Sequence, residues 1–367
     1  MTLRVAVIGV GPGRDVDISG RAHSWAYLHA DAYAAREDCA IVACADVVRD
    51  YAEGFSAEFD LPPDGVYESH DAMLEGTDPD LVSVCTPIPT HADIVIDCAR
   101  HPSVAAVHCE KPMASTWADA RAMAHICDRN DVQLTFGHQR RFGEPARRTK
   151  ELIDDGEIGA LERFEISYGN FFDNGTHTVD LAGYFNDEHR GDWVIGQIDY
   201  SKEHVRYGVH TADQAFMAWQ YENGVHGVLA TGDDVGLAGG PYDFYDCFMR
   251  VVGTDGAIEI DRLDGPMLRI RRDGAGWEPV DVADEIDGPV DRAIDDVVEA
   301  TSTGRETELH AGNALKATEI LFAGHESSRR RGRVELPLNG VYDHPLEAMI
   351  EAGEITPSEP DDRPPHP

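Results

Sequence analysis

The sequence predicts an α/β protein of two domains. The first has a doubly wound parallel sheet, and the second is an α+β domain with a large, mostly antiparallel open sheet. Two observations predict this: short apolar runs alternate with helical patterns over the first third of the chain, and strand-like runs then follow one another with turn signals between them. We place the domains at 1–140 and 141–340, with a C-terminal extension at 341–367.

The first domain is predicted from five apolar runs rich in Val, Ile and Cys, a composition typical of strands buried on both faces of a parallel sheet. These strands are 3–10, 40–46, 81–87, 105–112 and 132–138. Helical spacing of the apolar residues predicts helices at 23–36, 49–59, 91–100 and 116–130. Strands and helices that alternate in this way give a Rossmann-type sheet with helices on both faces.

The second domain begins with a helix predicted at 145–155, which Gly156 closes. The run 161–172 then leads to a helix that we expect to begin near Thr176. Turn signals separate five further strands, at 214–221, 224–232, 245–253, 257–262 and 267–272. Two more helices are predicted at about 289–303 and 311–328, and the tail at 356–367 is expected to be disordered.

The composition excludes several classes of partner. A formal net charge of −37 repels nucleic acid and anionic membranes, so we predict neither as a partner. The acidic residues are spread along the whole chain, as on the solvated surface of a halophilic, haloarchaeal-like protein. No apolar run approaches the roughly 20 residues that cross a bilayer, and no leader pattern precedes the first strand. We therefore expect a cytoplasmic protein.

The seven cysteines form no C-x-x-C pair, and several lie in apolar runs where cysteine serves as a small core residue. An odd number without such spacing predicts neither a disulfide framework nor a zinc site. We predict no metal.

The first apolar run ends in a glycine-rich loop, VIGVGPGRDVDISGRAH at 7–23. Gly9 is placed for a tight turn and Gly11 for close approach of the backbone to a pyrophosphate. Arg14 occupies the position of the third glycine in the dinucleotide fingerprint, and Gly20, displaced by an insertion, can supply close helix packing. A glycine-rich turn without a ligand has the same pattern, so the loop alone leaves cofactor binding open.

Residues at the ends of the other predicted strands favour the binding of a dinucleotide. Asp46 closes the second strand, where a carboxylate binds ribose hydroxyls and repels a 2′-phosphate; this favours NAD over NADP, while Arg49 leaves NADP possible. Thr86, Pro87 and His91 follow the third strand, and a proline turn with a capped helix start is the competing interpretation. The predicted cofactor-binding residues are Gly9, Gly11, Gly13, Arg14, Gly20, His23, Asp46, Arg49, Thr86, Pro87, His91, Glu110 and Lys111.

Two further features carry candidate chemistry. Lys111, one of only four lysines, follows the next buried strand, and residues at the carboxyl end of a parallel strand face the ligand crevice. An ordinary surface lysine is the alternative. Asp173 precedes His177 by about one helical turn, with Thr176 as the expected N-cap. By itself this pair also fits a capping aspartate beside a structural histidine.

Taken together, VIGVG…GRAH, CAD, VCTP…H, CEKP, GHQRRF and D-x-x-x-H-x-x-D resemble the Gfo/Idh/MocA family of nicotinamide-dependent oxidoreductases over about 3–330. The resemblance implies an NAD(P)-dependent dehydrogenase that acts on a secondary alcohol of a sugar, sugar derivative or cyclitol. It implies a homodimer or homotetramer that associates through the C-terminal sheet, and Lys111, Asp173 and His177 as the catalytic group. The insertion between Gly11 and Gly20 departs from the family pattern.

The chemistry of these residue types agrees with the resemblance. Alcohol oxidation needs a base, and imidazole with an ordinary pKa of about 6.5 suits that task. His177 is the expected base and Lys111 the alternative. Candidate substrate contacts are Lys111, Arg140, Arg141, Tyr168, Asn170, Asp180 and His210. Three alternatives stay open: an NAD-dependent glycosidase of the same fold, a non-catalytic nicotinamide-sensing protein, and a metal enzyme using His177, His189, His204 and His210.

Overall fold

The computed structural model describes residues 2–13, 25–167, 169–212, 214–232, 247–262, 265–282 and 288–360. The described residues form two compact units. The first unit comprises those of Met1–Gln139 and Asp287–Leu315, and the second those of Arg140–Ile286 and Lys316–Arg363. The segment from 288 to 315 therefore packs with the first unit, although the predicted boundary at 140 assigns it to the second domain.

The first unit contains a six-stranded parallel sheet in the order β3-β2-β1-β4-β5-β6. Val5, Val7 and Val82 are fully buried, as expected for strands covered on both faces. The elements of the N-terminal segment are β1 Leu3–Ile8, α1 Trp25–Ala34, β2 Cys39–Ala45, α2 Arg49–Glu58, β3 Val66–Tyr67, α3 His70–Thr77, β4 Leu81–Val84, α4 His91–Arg100, β5 Ala106–Cys109, α5 Trp117–Arg129 and β6 Gln133–Phe136.

The second unit contains a nine-stranded sheet, whose last strand follows the long helix α9. Its elements, together with the helix that belongs to the first unit, are α6 Glu144–Asp154, β7 Leu161–Ser167, α7 Asp173–Phe185, β8 Gly191–Asp199, β9 Val205–Arg206, β10 Val209–His210, β11 Gln214–Tyr221, β12 His226–Thr231, β13 Cys247–Gly253, β14 Gly256–Arg262, β15 Leu268–Arg272, β16 Trp277–Val280, α8 Gly288–Thr303, α9 Ala311–Arg330, β17 Val334–Glu335 and α10 Pro345–Glu351.

The nine strands are ordered β16-β15-β14-β13-β7-β12-β11-β8-β17. Only the β7–β12 pairing is parallel among them. The sheet is therefore mixed and mostly antiparallel, which confirms the predicted fold class. The hairpin of β9 and β10 forms a separate two-stranded sheet.

The register of this sheet separates an apolar row from a charged row. On one face, directly paired side chains across six strands are all apolar: Met217, Leu229, Ile166, Met249, Ile260 and Leu268. Helices α7 and α9 cover this face, since Gly175 of α7 lies against Leu229 and Gly324 of α9 lies against Met217. Burial of the apolar row thus fixes α7, the helix that carries the predicted Asp173 and His177, on the sheet.

On the opposite face the same strands carry the charged row, which is Glu165, Arg250, Glu259 and Arg269. Arg250 donates to Glu259 at 2.9 Å and to Glu165 at 3.5 Å, and Arg269 donates to Glu259 from the other side. Opposite charges thus alternate across four neighbouring strands, an arrangement that stabilises directly opposed pairs.

Helix α7 begins earlier than the sequence predicts. Helix α7 begins at Asp173, so the expectation that it begins near Thr176, with Thr176 as N-cap, is wrong. The Thr176 N–H already donates to the Phe172 carbonyl at 3.1 Å, and a residue inside the helical hydrogen-bond pattern cannot cap it. The side-chain carbonyl of Asn170 accepts from the Asn174 N–H at 3.1 Å and supports the earlier start.

Several elements escaped sequence prediction: β3, α3, β8, the β9–β10 hairpin, β16, β17 and α10. The tail prediction is wrong for residues 356–360, because Ser358 N–H donates to the Ser201 carbonyl at 2.8 Å and Glu203 N–H to the Glu359 carbonyl at 2.9 Å. Residues 361–367 lie outside the described residues. No helix in the described parts of the chain combines the length and apolar composition needed to cross a bilayer. All seven cysteines are free thiols.

The charged row yields a stability prediction. Glu259→Gln removes the negative charge that the two arginines share, and breaking a buried charge pair costs about 3 kcal/mol. Burial alone would raise the pKa of Glu259, but the hydrogen bonds from Arg269 and Arg250 lower it. The stability that this carboxylate confers is therefore complete above its ordinary pKa of about 4.3 and is lost as the pH falls below it.

Urea unfolding at neutral and acid pH measures both effects, and the variant should lose stability chiefly at neutral pH. The matched control is Glu278→Gln on β16, whose side chain is 62% exposed and pairs with Arg272 at 3.2 Å. We expect that control to cost less than about 1 kcal/mol. Equal losses in the two variants would contradict a special role for the charged row.

Candidate active site

The glycine loop lies where the order of the parallel sheet reverses, because β1 has β2 on one side and β4 on the other. Gly9 adopts a φ of 80°, and a Cβ added there would lie 2.6 Å from Thr86 Cγ2 and 2.8 Å from the Thr86 nitrogen. No side chain fits between the loop and the end of β4. This switch point at the carboxyl ends of the strands is where open α/β sheets bind ligands.

Asp46, at the end of β2, is held by two backbone N–H groups. Gly11 donates to its Oδ2 at 3.0 Å, and Val48 donates to its Oδ1 at 2.9 Å. Each carboxylate oxygen has a second lone pair, so the group keeps acceptor capacity for ribose hydroxyls. The carboxylate and the glycine loop therefore form one rigid arrangement, which fits the adenosine side of a dinucleotide.

Arg49, the residue that left NADP possible, is engaged by two carboxylates. Its guanidinium lies 2.8 Å from Glu53 and 3.4 Å from Glu68. These three side chains form an exposed cluster with more acidic than basic groups. A 2′-phosphate would have to compete with both glutamates for this arginine.

Lys111 lies in the turn that follows β5, and its side chain is largely buried. The Lys111–Pro112 peptide is cis. His91 supports this turn: its Nδ1 is 3.1 Å from the Pro112 carbonyl and its Nε2 is 2.8 Å from the Thr86 carbonyl. Burial lowers the pKa of His91. Its two ring nitrogens thus face main-chain carbonyls at two strand ends, and the cofactor contact of His91 stays a prediction.

Glu110, another predicted cofactor residue, is buried behind the same turn. Its Oε1 is 3.1 Å from Nε2 of His29 on α1, and its Oε2 accepts from the Lys111 N–H at 3.3 Å. Gly137 makes room for it, since a Cβ there would lie 2.6 Å from Oε1. The carboxylate therefore orients the backbone that carries Lys111.

In the second unit, Asp173 and His177 are four residues apart on α7 and so share one face of the helix. Their exposed fractions are 2% and 4%. Arg206 on β9 places its Nε 3.6 Å from Asp173 Oδ2. The structure thus brings together the aspartate and the histidine that the sequence paired.

Arg206 was missed by sequence reasoning. It lies in the sequence VRYGV, in which Tyr207 and Gly208 both have positive φ, at 48° and 83°. Such a pair is typical of a tight hairpin turn and could have revealed β9 and β10. The contact with Asp173, however, joins residues far apart in the chain and has no local signal.

Arg141 and Asp180 were predicted to contact substrate, but they form a buried ion pair. Arg141 donates to Asp180 Oδ2 at 2.6 Å and Oδ1 at 2.7 Å, and it also donates to Glu188 at 2.5 Å. Arg141 and Asp180 are 1% and 2% exposed. The pair ties Arg141, which precedes α6, to Asp180 of α7, and substrate contact by either residue stays a prediction.

The remaining predicted substrate residues have varied positions. Asn170 supports the start of α7, and its side-chain carbonyl also accepts from the Thr211 hydroxyl at 3.3 Å. Arg140 lies over the Phe248 ring at 5.0 Å, and His210 Nδ1 is hydrogen-bonded to the Tyr200 hydroxyl. Gly13 has a φ of 105°. Tyr168, Arg14, Gly20 and His23 lie outside the described residues.

Two family profiles match the chain. The oxidoreductase family, NAD-binding Rossmann fold, matches residues 3–138, and the oxidoreductase family, C-terminal alpha/beta domain, matches residues 162–336. The chain belongs to this family. The Gfo/Idh/MocA resemblance is therefore confirmed over most of the sequence, and the first unit is an NAD-binding domain of that family.

Several known proteins are similar to this chain. The myo-inositol 2-dehydrogenase of Thermotoga maritima is 25% identical over 71% of this chain and 76% of its own length. The inositol 2-dehydrogenase of Rhizobium meliloti is 29% identical over 50% of this chain and 55% of its own length. A crystal structure of an Agrobacterium radiobacter oxidoreductase with NAD⁺, L-tartaric acid and magnesium has a TM-score of 0.74 at 20% identity, and the alignment covers 91% of this chain and 98% of that one.

The ion pair of Arg141 and Asp180 can be tested by a double-mutant cycle. Arg141→Met or Asp180→Leu alone leaves a buried charge without its main partner and should cost about 3–5 kcal/mol of stability. The double variant should cost clearly less than the sum of the two, as measured by urea unfolding.

The control for this cycle is Arg148→Met on α6. The Arg148 side chain is 42% exposed and pairs with Glu151 at 2.7 Å. Its loss should cost less than about 1 kcal/mol. Strictly additive losses for Arg141 and Asp180 would show that the two residues are not coupled.

Proposed function

We propose that the protein is an NAD-dependent dehydrogenase that oxidises a secondary alcohol of a sugar, sugar derivative or cyclitol, or reduces the corresponding ketone. The observation that carries this proposal is the buried Asp173–His177 pair on one face of α7, in a chain of an NAD-binding oxidoreductase family. The inositol dehydrogenases among its relatives support the substrate class.

The residues have distinct proposed roles. His177 accepts the proton of the reacting hydroxyl, and Lys111 donates a hydrogen bond to the same oxygen and stabilises negative charge there. Asp173, held by Arg206 at 3.6 Å, orients the imidazole or binds a neighbouring hydroxyl. When bound, the nicotinamide supplies the hydride acceptor. Lys111 as the proton acceptor is the alternative assignment.

Cofactor contacts are proposed for the glycine loop and the strand ends. Gly9 and Gly11 let the backbone approach the pyrophosphate, and Asp46 accepts from the adenosine ribose. The two glutamates on Arg49 favour NAD over NADP, because they occupy the cation that a 2′-phosphate would need. Thr86, Pro87 and Lys111 complete the proposed contacts at the nicotinamide end.

We also propose a halophilic cytoplasmic protein that forms a homodimer or homotetramer. The net charge of −37 supports the first part, since dense acidic charge is solvated best in concentrated salt. The face of the nine-stranded sheet opposite the apolar row supports the second. Phe216 and Ile195, 44% and 45% exposed, lie there on neighbouring strands. Exposed apolar side chains that adjoin one another are typical of an interaction surface.

The catalytic assignment is tested by His177→Ala and Lys111→Ala, assayed for NADH formation with a panel of inositols, pentoses, hexoses and uronates in molar salt. Loss of a positioned base or of a charge-stabilising donor should lower kcat/KM about 100-fold or more. His189→Ala is the control, since that side chain is 41% exposed and pairs with Glu222.

The pH profile of kcat/KM decides between the two bases. If His177 is the base, the acid limb of the wild-type profile disappears in His177→Ala; if Lys111 is the base, it remains. Unchanged turnover in both variants would overturn the proposed mechanism. Release of an aglycone without net NADH would indicate the glycosidase alternative, and NAD binding without any turnover would indicate a sensor.

Cofactor preference gives a separate prediction. Wild-type protein should prefer NAD to NADP, and Asp46→Ala should raise KM for NAD about 10-fold, since hydrogen bonds to a charged group contribute about 1.5–3 kcal/mol. KM values for both cofactors measure this. Asp50→Asn, on the exposed first turn of α2, is the control and should change KM less than about 2-fold. A wild-type preference for NADP would contradict the role of Asp46.

A further inference from the structure

Cys85 differs from the other cysteines in position and surroundings. Five of the seven cysteines are buried, and only Cys39 and Cys85 are partly exposed. Cys85 immediately follows β4, and its carbonyl carbon would lie 2.9 Å from a Cβ on Gly9. The thiol is thus on a residue that adjoins the glycine loop and is partly exposed.

A histidine and a carboxylate are aligned behind this thiol. Nδ1 of His29 is 3.5 Å from Cys85 Sγ, and Nε2 of the same ring is 3.1 Å from Glu110 Oε1. His29 and Glu110 are 2% and 6% exposed. A nucleophile next to an imidazole that a third group orients is the arrangement that activates cysteine and serine in enzymes. The proposed dehydrogenase mechanism uses neither Cys85 nor His29.

Ser83 is a second neighbour of the ring nitrogen that faces Cys85, and Tyr33 and His108 complete the surroundings of the imidazole. The Ser83 hydroxyl lies 3.3 Å from His29 Nδ1, and Tyr33 is hydrogen-bonded to that hydroxyl at 2.8 Å. The His108 ring lies 4.9 Å from the His29 ring. Burial, together with repulsion from His29 and His138, holds the pKa of His108 well below its usual range, so it adds no positive charge.

The charge of the imidazole favours a reactive sulfur. Burial alone would lower the pKa of His29, but its interactions with Cys85 and Glu110 raise it to about 10. His29 is therefore an imidazolium at neutral pH. An imidazolium N–H at this distance can donate to the cysteine sulfur, and the thiolate is the nucleophilic form of cysteine.

Cys39 provides an internal reference with the opposite surroundings. Burial and the charge of the adjacent Asp38 raise the pKa of the Cys39 thiol to about 11. It is also partly exposed, so its accessibility resembles that of Cys85. Differences in reactivity between the two thiols therefore report on their charge environment.

We propose that Cys85, with His29 and Glu110, is a reactive thiol site that hydroperoxides modify. The thiolate attacks one peroxide oxygen, so that an S–O bond forms while the O–O bond breaks. Sulfur loses two electrons to become sulfenic acid, and the peroxide is reduced to an alcohol, or to water if it is hydrogen peroxide. The alkoxide or hydroxide that leaves takes its proton from the His29 imidazolium.

Competition between the two thiols of the wild-type protein is the primary test. A limiting amount of iodoacetamide at neutral pH, followed by peptide mass spectrometry, should alkylate Cys85 at least about 10-fold faster than Cys39. Hydrogen peroxide in the presence of dimedone should place the sulfenic-acid adduct on Cys85, and Cys85→Ser should abolish it. Equal or faster alkylation of Cys39, or absence of the adduct from Cys85, would overturn the proposal.

Variants test whether His29 is the cause. His29→Gln should reduce the rate at Cys85 to near that at Cys39, whereas Tyr33→Phe, a change in the same buried network, should leave the preference in place. Thermal unfolding of each variant checks folding, and the wild-type comparison decides the proposal even if His29→Gln does not fold. A preference that survives in folded His29→Gln would refute the activating role of the imidazole. None of these readouts depends on dehydrogenase turnover.

Discussion

The contact between the glycine loop and the end of β4 constrains the whole nucleotide side of the molecule. Gly9 lies so close to Thr86 that no Cβ fits between them. This approach is possible because β1 and β4 are adjacent parallel strands, whose ends meet at one edge of the sheet. Asp46 is drawn into the same arrangement through the Gly11 N–H, and His91 extends it from Thr86 to Pro112. The turn that carries Lys111 is thus positioned by backbone geometry before any ligand arrives.

Charged residues are distributed differently at the surface and in the interior. In a chain with a net charge of −37, several arginines lie where they pair with buried carboxylates. Arg141 binds Asp180 and Glu188 beneath α7, and Arg250 and Arg269 flank Glu259 in the charged row. A buried carboxylate without a partner is strongly destabilising, whereas an exposed one is solvated. The excess of acidic residues is therefore tolerated at the surface. The buried carboxylates named above are each paired with an arginine.

The sequence predicted what depends on local pattern. Five of the six parallel strands of the first unit were recognised because strands buried on both faces are continuously apolar, whereas β3 has only two residues. The spacing of Asp173 and His177 suggested that they lie close together, but their catalytic roles were implied only by the family resemblance. Strand β8 was missed since Gly196 and exposed residues interrupt its alternation. The early start of α7 depends on side-chain hydrogen bonds of Asn170, which periodicity does not reveal. Arg141, Arg206 and His29 owe their partners to the tertiary fold, so their contacts had no sequence signal.

The segment from 288 to 315 returns to the first unit, and this affects when that unit can fold. Helix α8 belongs to that unit, where Arg36 is paired with Asp295, and the Phe136 N–H at the edge strand β6 donates to the Leu309 carbonyl at 3.1 Å. An edge strand without its neighbour exposes unpaired backbone groups. During translation the nucleotide-binding unit therefore stays incomplete until the segment near residue 310 has left the ribosome. Residues 140–286 of the second unit are synthesised before that segment and residues 316–363 after it, so synthesis of the two units overlaps.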